Sequence, residues 1–144
     1  MPVLYLHAMN AHPTPVIYQT GITPATEQIM ALYRSAGLKR PIEDAARITR
    51  MFEHSNLVVS AWAGEELIGV ARALTDYSYC CYLSDLAVAL PFQRLGIGRQ
   101  LIARIREKAG PQCMLLLSAP GAKTYYPTLG MKVVDNGFII PRES

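Results

Sequence analysis

Cysteine and histidine are both scarce in this sequence of 144 residues, which contains three of each. Two cysteines, Cys80 and Cys81, are adjacent and the third is distant, so the chain has neither a ladder of spaced pairs nor a Cys-x-x-Cys knuckle. The histidines His7, His12 and His54 are scattered without the spacing of metal ligands. These absences argue against a disulfide framework, a metal site and histidine-driven catalysis, and we expect reduced thiols.

The sequence also has no run of basic residues and no long apolar run. Its formal net charge is +3, and Lys and Arg are dispersed, unlike the clusters that follow a nucleic-acid backbone. No stretch reaches the length that crosses a bilayer, and residues 1–11 lack the cationic start of a signal peptide. We therefore expect no nucleic-acid partner, no membrane partner and a cytoplasmic location.

The chain does have enough apolar residues for a sizeable core. Hydrophobic residues make up 51% of it and charged residues only 17%, a composition that is not typical of disordered segments. Its 144 residues are close to the commonest domain size, and no repeat or long linker divides them. We expect a single domain over residues 1–144.

The pattern of apolar residues and turn signals predicts an α/β or α+β sandwich. Pro24 and Pro41 each suit the first turn of a helix, because proline fits the first helical position. The segment Ala63-Gly64-Glu65-Glu66 is typical of the turn of a β-hairpin. The apolar segment 79–88 suits a central strand that is covered on both faces. Strands are predicted over 16–20, 57–62, 67–74, 79–88, 113–117, 131–134 and 138–140, and helices over 24–36, 41–54, 98–109 and 121–129.

Residues 86–99, a strand end that passes through a glycine-bearing loop into a helix, form the most informative segment. Glycines such as Gly96 and Gly98 let the backbone approach a ligand, and the free amides at a helix start attract a pyrophosphate. Further donors come from the side chains of Gln93, Arg94 and Arg99. The P-loop ending and the third glycine of the dinucleotide fingerprint are both missing. The segment predicts a phosphate-binding site, with an ordinary tight turn as the alternative.

Two motifs carry a resemblance to a known family. Gln93-x-x-Gly96-x-Gly98 resembles the acetyl-CoA motif of the GNAT acetyltransferases, written Q/R-x-x-G-x-G/A. Residues 122–131, AKTYYPTLGM, are similar to the family's second motif, an alanine followed by Phe-Tyr, three residues and Gly-Phe. The resemblance spans almost the whole chain. It implies the GNAT acyl-CoA N-acyltransferase fold, a mixed curved sheet with a splayed central strand pair flanked by helices.

The resemblance also implies roles for single residues. The backbone of Leu86, Ala87 and Val88 would pair with the pantetheine arm of acetyl-CoA. The loop residues Gln93, Arg94, Leu95, Gly96, Ile97, Gly98 and Arg99 would hold its pyrophosphate. Tyr126 would lie near the coenzyme sulfur and protonate the departing thiolate, because a phenol keeps its proton at neutral pH. For the neighbouring Tyr125 we expect a place in the core.

The general base is less clearly marked. Some relatives carry a catalytic glutamate at the position of Tyr82, which is a poor base at neutral pH. The nearest carboxylate is Asp85, and strand alternation places it on the opposite face from Tyr82. Asp85 is a candidate base beside a water-mediated route, and it could equally be a structural acceptor.

Arg94 departs from the acetyl-CoA motif of the family, because many relatives have glycine at this position.

These observations predict direct acetyl transfer from acetyl-CoA to a primary amine in a ternary complex. Residues 69–76 and 82–86 look similar to a subgroup that includes arylalkylamine-type enzymes, which favours a small-molecule amine over a protein. Relatives often pair, so the resemblance allows a homodimer. Two alternatives stay open: an acyl-CoA sensor or interaction module on the same fold, and a phosphate or nucleotide binder of another class.

Overall fold

The computed structural model describes residues 14–111 and 113–143, without the side chain of residue 113. The strands are β1 (Val16–Thr20), β2 (Leu57–Ala63), β3 (Glu66–Thr75), β4 (Cys80–Val88) and β5 (Cys113–Leu115). The helices are α1 (Thr26–Ala36), α2 (Ala45–Glu53) and α3 (Ile97–Ala109). Short 3-10 helices cover Leu90–Phe92, Pro120–Ala122 and Tyr126–Leu129.

The sheet has five strands in the order β1-β2-β3-β4-β5. The first four strands are antiparallel to their neighbours, and β5 is parallel to β4. The predicted hairpin is confirmed, since Ala63 pairs with Glu66 across a turn in which Gly64 has a φ of +60°. The result is the mixed sheet that the sequence predicts.

The central strands β4 and β5 separate after a short contact. Only Cys80, Cys81 and Tyr82 of β4 pair with β5, whereas β4 stays paired with β3 as far as Val88. Residues 83–88 therefore have no β5 partner in the described part of the chain. This confirms the splayed central strand pair.

A β-bulge lies where the two strands part. Arg72 of β3 pairs with Asp85, and the next residue of β3, Ala73, pairs with Leu83, which leaves Ser84 as the extra residue of β4. Bulges of this kind turn the local side chains and are common beside active sites. The bulge therefore marks the end of the β4–β5 contact.

Helices cover both faces of the sheet. On β3, a Cβ at Gly69 would lie 3.1 Å from Leu101 of α3, so the absence of a side chain there lets α3 pack closely. Arg72 is three residues further along β3, on the opposite face, and its Nη1 lies 3.4 Å from the carbonyl oxygen of Met51 in α2. The buried cores include Ile29, Tyr33 and Ile48 in α1 and α2, and Leu101 and Ile105 in α3.

The ends of three predicted elements differ from the structure by two residues or more. Helix α1 starts at Thr26 instead of residue 24. Helix α2 starts at Ala45 instead of residue 41, because Pro41 opens a turn and the Asp44 side chain caps the helix by accepting the backbone N–H of Arg47. The strand predicted over 113–117 ends at Leu115.

Three further predictions near the carboxyl end are wrong. The helix predicted over 121–129 is replaced by two 3-10 helices, since Pro120 starts one and Pro127 disfavours α-helical geometry at Tyr126. Residues 131–134 and 138–140 form no strand. Strand β4 is not fully covered on both faces either, because its burial alternates and Tyr82 is 37% exposed.

Candidate active site

The loop between β4 and α3 has the backbone that its glycines predict. Gly96 is the N-cap of α3 and has a φ of +83°, a conformation that favours glycine. Arg94 has a φ of +65°, which explains why a glycine fits this position well. The loop thus turns the chain sharply into the 13-residue helix α3.

The backbone amides of this loop have no acceptor among the residues that the structure describes. None of the N–H groups of residues 94–99 donates to an acceptor in the described part of the chain, and no side chain caps α3. Such amides at the positive end of a helix dipole form a ready anion site. The guanidinium groups of Arg94 and Arg99 add positive charge to the loop. This donor set fits a pyrophosphate.

Gln93 makes a local contact at the start of the loop. Its side-chain amide Nε2 donates to the carbonyl oxygen of Val88 at 2.9 Å. Gln93 therefore braces the turn that links the end of β4 to the loop. In this conformation its side chain contributes to the site through the position of the loop.

Leu86, Ala87 and Val88 lie beyond the point where β5 leaves β4. They pair with β3, opposite Ala71, Val70 and Gly69 respectively. The Leu86 side chain lies towards α3, since its Cδ2 is 3.9 Å from the position that a Cβ of Gly98 would take. The segment that the resemblance assigns to the pantetheine arm thus adjoins residues 94–99, which we call the anion-binding loop.

The second motif contacts the first. A Cβ built at Gly98 would lie 2.7 Å from Oη of Tyr125, and Nη2 of Arg99 lies 3.4 Å from the carbonyl oxygen of Thr128. Tyr125 is 36% exposed, so the predicted place in the core is wrong. The structure brings together residues that are about 27 positions apart in the sequence.

Tyr126 is half-buried and contacts the hydrophobic core. Its ring meets the Tyr125 ring edge-on, with centroids 5.2 Å apart. Burial raises the pKa of Tyr126, and the neighbouring Tyr125 raises it further. The phenol therefore holds its proton at neutral pH, as an acid that protonates a thiolate must.

Asp85 is buried in a polar cluster with residues from four elements or loops. Its Oδ2 accepts from Oη of Tyr33 at 2.6 Å and from Nε of Arg72 at 2.7 Å. Its Oδ1 accepts from Nε of Arg40 at 2.8 Å and from Oγ of Ser84 at 3.1 Å. Two guanidinium groups therefore neutralise one carboxylate, which itself is 1% exposed.

The cluster sets the charge state of Asp85. Burial alone would raise the pKa of Asp85, but the hydrogen bonds and charges of Arg72, Tyr33 and Arg40 outweigh it and keep the pKa below its ordinary 3.8. The same burial, with the carboxylate nearby, raises the pKa of Tyr33 well above 10.0. Of the two roles that the sequence leaves open for Asp85, this geometry favours the structural acceptor.

The sequence gives little sign of the partners of Asp85. Tyr33 and Arg40 lie 52 and 45 positions away from it along the chain. Arg72 lies 13 positions from Asp85, on the neighbouring strand. The other carboxylate nearby, Asp76, accepts the backbone N–H groups of Ser78, Tyr79 and Cys80. Only long-range packing determines which arginine meets which carboxylate.

Two other classes of site are absent from the described residues. No helix among them combines the length and the apolarity that a membrane span requires. No group of three or more His, Cys, Asp or Glu side chains within residues 14–111 and 113–143 is placed to hold a metal ion.

Two curated relatives are similar to part of this chain. Uncharacterized N-acetyltransferases named ycf52 from Porphyra purpurea and Pyropia yezoensis are 28% identical over 101 residues, or 65% of this chain and 56% of theirs. The chain thus spans little more than half the length of these relatives.

Solved structures show the same fold. A probable acetyltransferase from Staphylococcus aureus has a TM-score of 0.76 at 19% identity, over 89% of this chain and all of the other. The aminoglycoside N-acetyltransferase AAC(6')-Iy, solved with CoA, has a TM-score of 0.70 at 17% identity, over 92% and 98% of the two chains. At these identities the likeness establishes the fold alone.

A family model covers most of the chain. Residues 25–139 match the model of the acetyltransferase (GNAT) domain, a range that includes β2 to β5, all three helices and both motifs. This chain therefore belongs to the GNAT acetyltransferase family.

Proposed function

We propose that this chain transfers an acetyl group from acetyl-CoA directly to a primary amine of a small molecule. The proposal rests on the backbone amides of residues 94–99, which have no acceptor among the described residues. They lie next to the part of β4 that has no β5 partner in the same described part of the chain. These two features suit the two chemical parts of CoA, a pyrophosphate and an amide-bearing pantetheine arm.

Each part has its own partner in the protein. The amides of residues 94–99 and the cations of Arg94 and Arg99 would bind the pyrophosphate. The uncovered edge of Leu86, Ala87 and Val88 would pair with the pantetheine amides as a further strand would. Together they would direct the thioester along β4.

The chemistry needs two proton transfers. The nitrogen of the neutral amine attacks the thioester carbonyl carbon, the carbon–sulfur bond breaks, and CoA leaves as a thiolate. The nitrogen loses one proton and the thiolate gains one, so the reaction needs no external reductant or oxidant. We assign the proton for the thiolate to Tyr126, whose pKa is raised by burial. Direct transfer leaves no acetyl group on the enzyme.

We assign Asp85 a structural role in the site, as an acceptor of hydrogen bonds and not as the general base. Its carboxylate already accepts from Tyr33, Arg40, Arg72 and Ser84, and its lowered pKa makes it a weak base. Because Arg40 also donates from Nη2 to the carbonyl oxygen of Ser84 at 2.7 Å, the cluster fastens the α1–α2 loop to the bulge of β4. The water-mediated route is then the proposed path for the amine proton.

The proposal also covers the acceptor amine, the oligomeric state and the cellular location. A small amine is supported by the similarity of residues 69–76 and 82–86 to the arylalkylamine-type subgroup. One structural neighbour is named an aminoglycoside N-acetyltransferase, which is also a small-molecule enzyme. A cytoplasmic location remains our expectation, to be tested by cell fractionation. The homodimer that the resemblance allows is tested by light scattering.

The test is release of the CoA thiol from acetyl-CoA in the presence of a panel of primary amines. Tyr126→Phe should lower kcat by about 100-fold and leave the Kd for acetyl-CoA unchanged, as expected for loss of a general acid. Tyr18→Phe is the matched control, because it removes a phenol from β1 at the far edge of the sheet. An unchanged kcat in Tyr126→Phe would contradict the assignment.

A second candidate function is an acyl-CoA sensor without turnover. It is favoured by the engagement of Asp85 with two arginines, which leaves that carboxylate poorly suited to take a proton. Tight binding of acetyl-CoA with no thiol release for any amine would support this alternative over the enzyme.

A further inference from the structure

The hydroxyl of Tyr125 lies against the first turn of α3. A Cβ added at Gly98, the second residue of that helix, would be 2.7 Å from Oη and 3.6 Å from Cζ of Tyr125. The first distance is too short for a real contact, whereas the second is ordinary van der Waals packing. The oxygen therefore occupies space that only a glycine leaves open.

This hydroxyl has no partner within the described part of the chain. No hydrogen bond of the Tyr125 side chain is found there, although the ring is held edge-on by Tyr126 and its own segment is fastened to α3 through Arg99 and Thr128. Burial raises the pKa of Tyr125, and the charge of Arg99 offsets the shift only in part. At neutral pH the hydroxyl is a fixed donor beside unpaired amides.

Packing alone does not explain why the side chain at position 125 carries a hydroxyl oxygen. The second motif of the family places phenylalanine at this position, and its first motif accepts glycine or alanine where this chain has Gly98. A phenylalanine ring would tolerate a Cβ there, since the Cζ contact alone is 3.6 Å. In this chain the tyrosine oxygen and the glycine are matched to each other.

We propose that the Tyr125 hydroxyl donates a hydrogen bond to the pyrophosphate of acetyl-CoA, together with the backbone amides of residues 94–99. The proposal rests on the proposed function, because it assumes that CoA binds at this loop. It assigns Tyr125 as a binding residue, distinct from the proton donor Tyr126.

Calorimetry with CoA and with dephospho-CoA tests the proposal. Both ligands carry the pyrophosphate, and only CoA carries the 3'-phosphate. Tyr125→Phe should weaken the binding of both by about tenfold or more, the usual effect of losing a hydrogen bond to a charged group. Tyr18→Phe, at the far edge of the sheet, should bind both ligands as the parent does.

A double-mutant cycle tests the pairing with Gly98. Gly98→Ala should displace the hydroxyl and weaken CoA binding about as much as Tyr125→Phe does. In the Tyr125→Phe background, Gly98→Ala should add little, because its Cβ then faces only Cζ. Circular dichroism confirms that each variant is folded.

The results of these experiments decide whether the Tyr125 hydroxyl binds the pyrophosphate. Unchanged affinity in a folded Tyr125→Phe, fully additive losses in the cycle, or a loss seen with CoA but not with dephospho-CoA would each overturn the proposal. A parent protein that binds neither ligand would instead overturn the proposed function.

Discussion

Arg72 and Asp85 form a two-point ion pair across β3 and β4, with Nε 2.7 Å from Oδ2 and Nη2 3.2 Å from Oδ1. The same arginine donates to Oγ of Ser84 at 2.8 Å, and its guanidinium carbon lies 5.6 Å from the centroid of the Phe52 ring. The pair thereby joins the bulge of β4 to both helices on that face. It stabilises the strand on which the candidate site is built.

Asp85→Asn should destabilise the protein by about 3 kcal/mol, because it leaves two arginines beside a site without its negative charge. Urea unfolding measures the change. Asp135→Asn makes the same substitution at an exposed position and should leave the free energy of unfolding within about 0.5 kcal/mol of the parent. Unchanged stability in Asp85→Asn together with abolished thiol release would restore Asp85 as the base.

Arg94→Gly should change stability and binding in opposite directions. Arg94 has a φ of +65°, so glycine should relieve strain and raise the free energy of unfolding by about 1 kcal/mol. Loss of the guanidinium should weaken CoA binding and reduce its dependence on salt. Thermal unfolding and calorimetry at two ionic strengths check both effects. A variant that binds CoA as tightly as the parent would show that Arg94 does not contact the phosphates.

The pKa of Asp76 should lie far below that of an ordinary carboxyl group. Hydrogen bonds from the backbone of Tyr79, Cys80 and Ser78 lower its pKa from 3.8 to about 2. Because the folded pKa is the lower one, its contribution to stability is complete above about pH 3.8 and is lost as the pH falls through about 2. NMR titration of the Asp76 carboxyl carbon measures this midpoint. A midpoint near 4 would mean that the turn does not hold these hydrogen bonds in solution.

Local patterns were sufficient for much of the fold. The hairpin of β2 and β3 follows from the turn at Gly64, and α3 follows from its amphipathic spacing and from Gly96 at its N-cap. The anion-binding loop was predictable for the same reason, since its geometry is set by neighbouring residues. The splayed strand pair came from the resemblance and not from any local signal.

Features that depend on distant partners were not predictable in this way. The apolar residues at 131–134 and 138–140 suggest strands, but a strand requires a hydrogen-bonded neighbour, which a pattern does not supply. Phe138 is 99% exposed as a result. The contact of Tyr125 with Gly98 and the cluster around Asp85 likewise depend on how separate elements pack.

Calorimetry with acetyl-CoA on the parent, Leu95→Glu and Ile17→Glu tests whether the coenzyme binds at the loop of residues 94–99. Leu95 is 70% exposed within the anion-binding loop, and Ile17 is 53% exposed on β1 at the opposite edge of the sheet, so the two variants add the same charge at different places. We expect acetyl-CoA to bind to the parent and to Ile17→Glu, and its affinity for Leu95→Glu to fall at least about tenfold, because the added carboxylate repels the phosphates. Equal affinity in all three proteins, or no binding to the parent, would contradict this expectation.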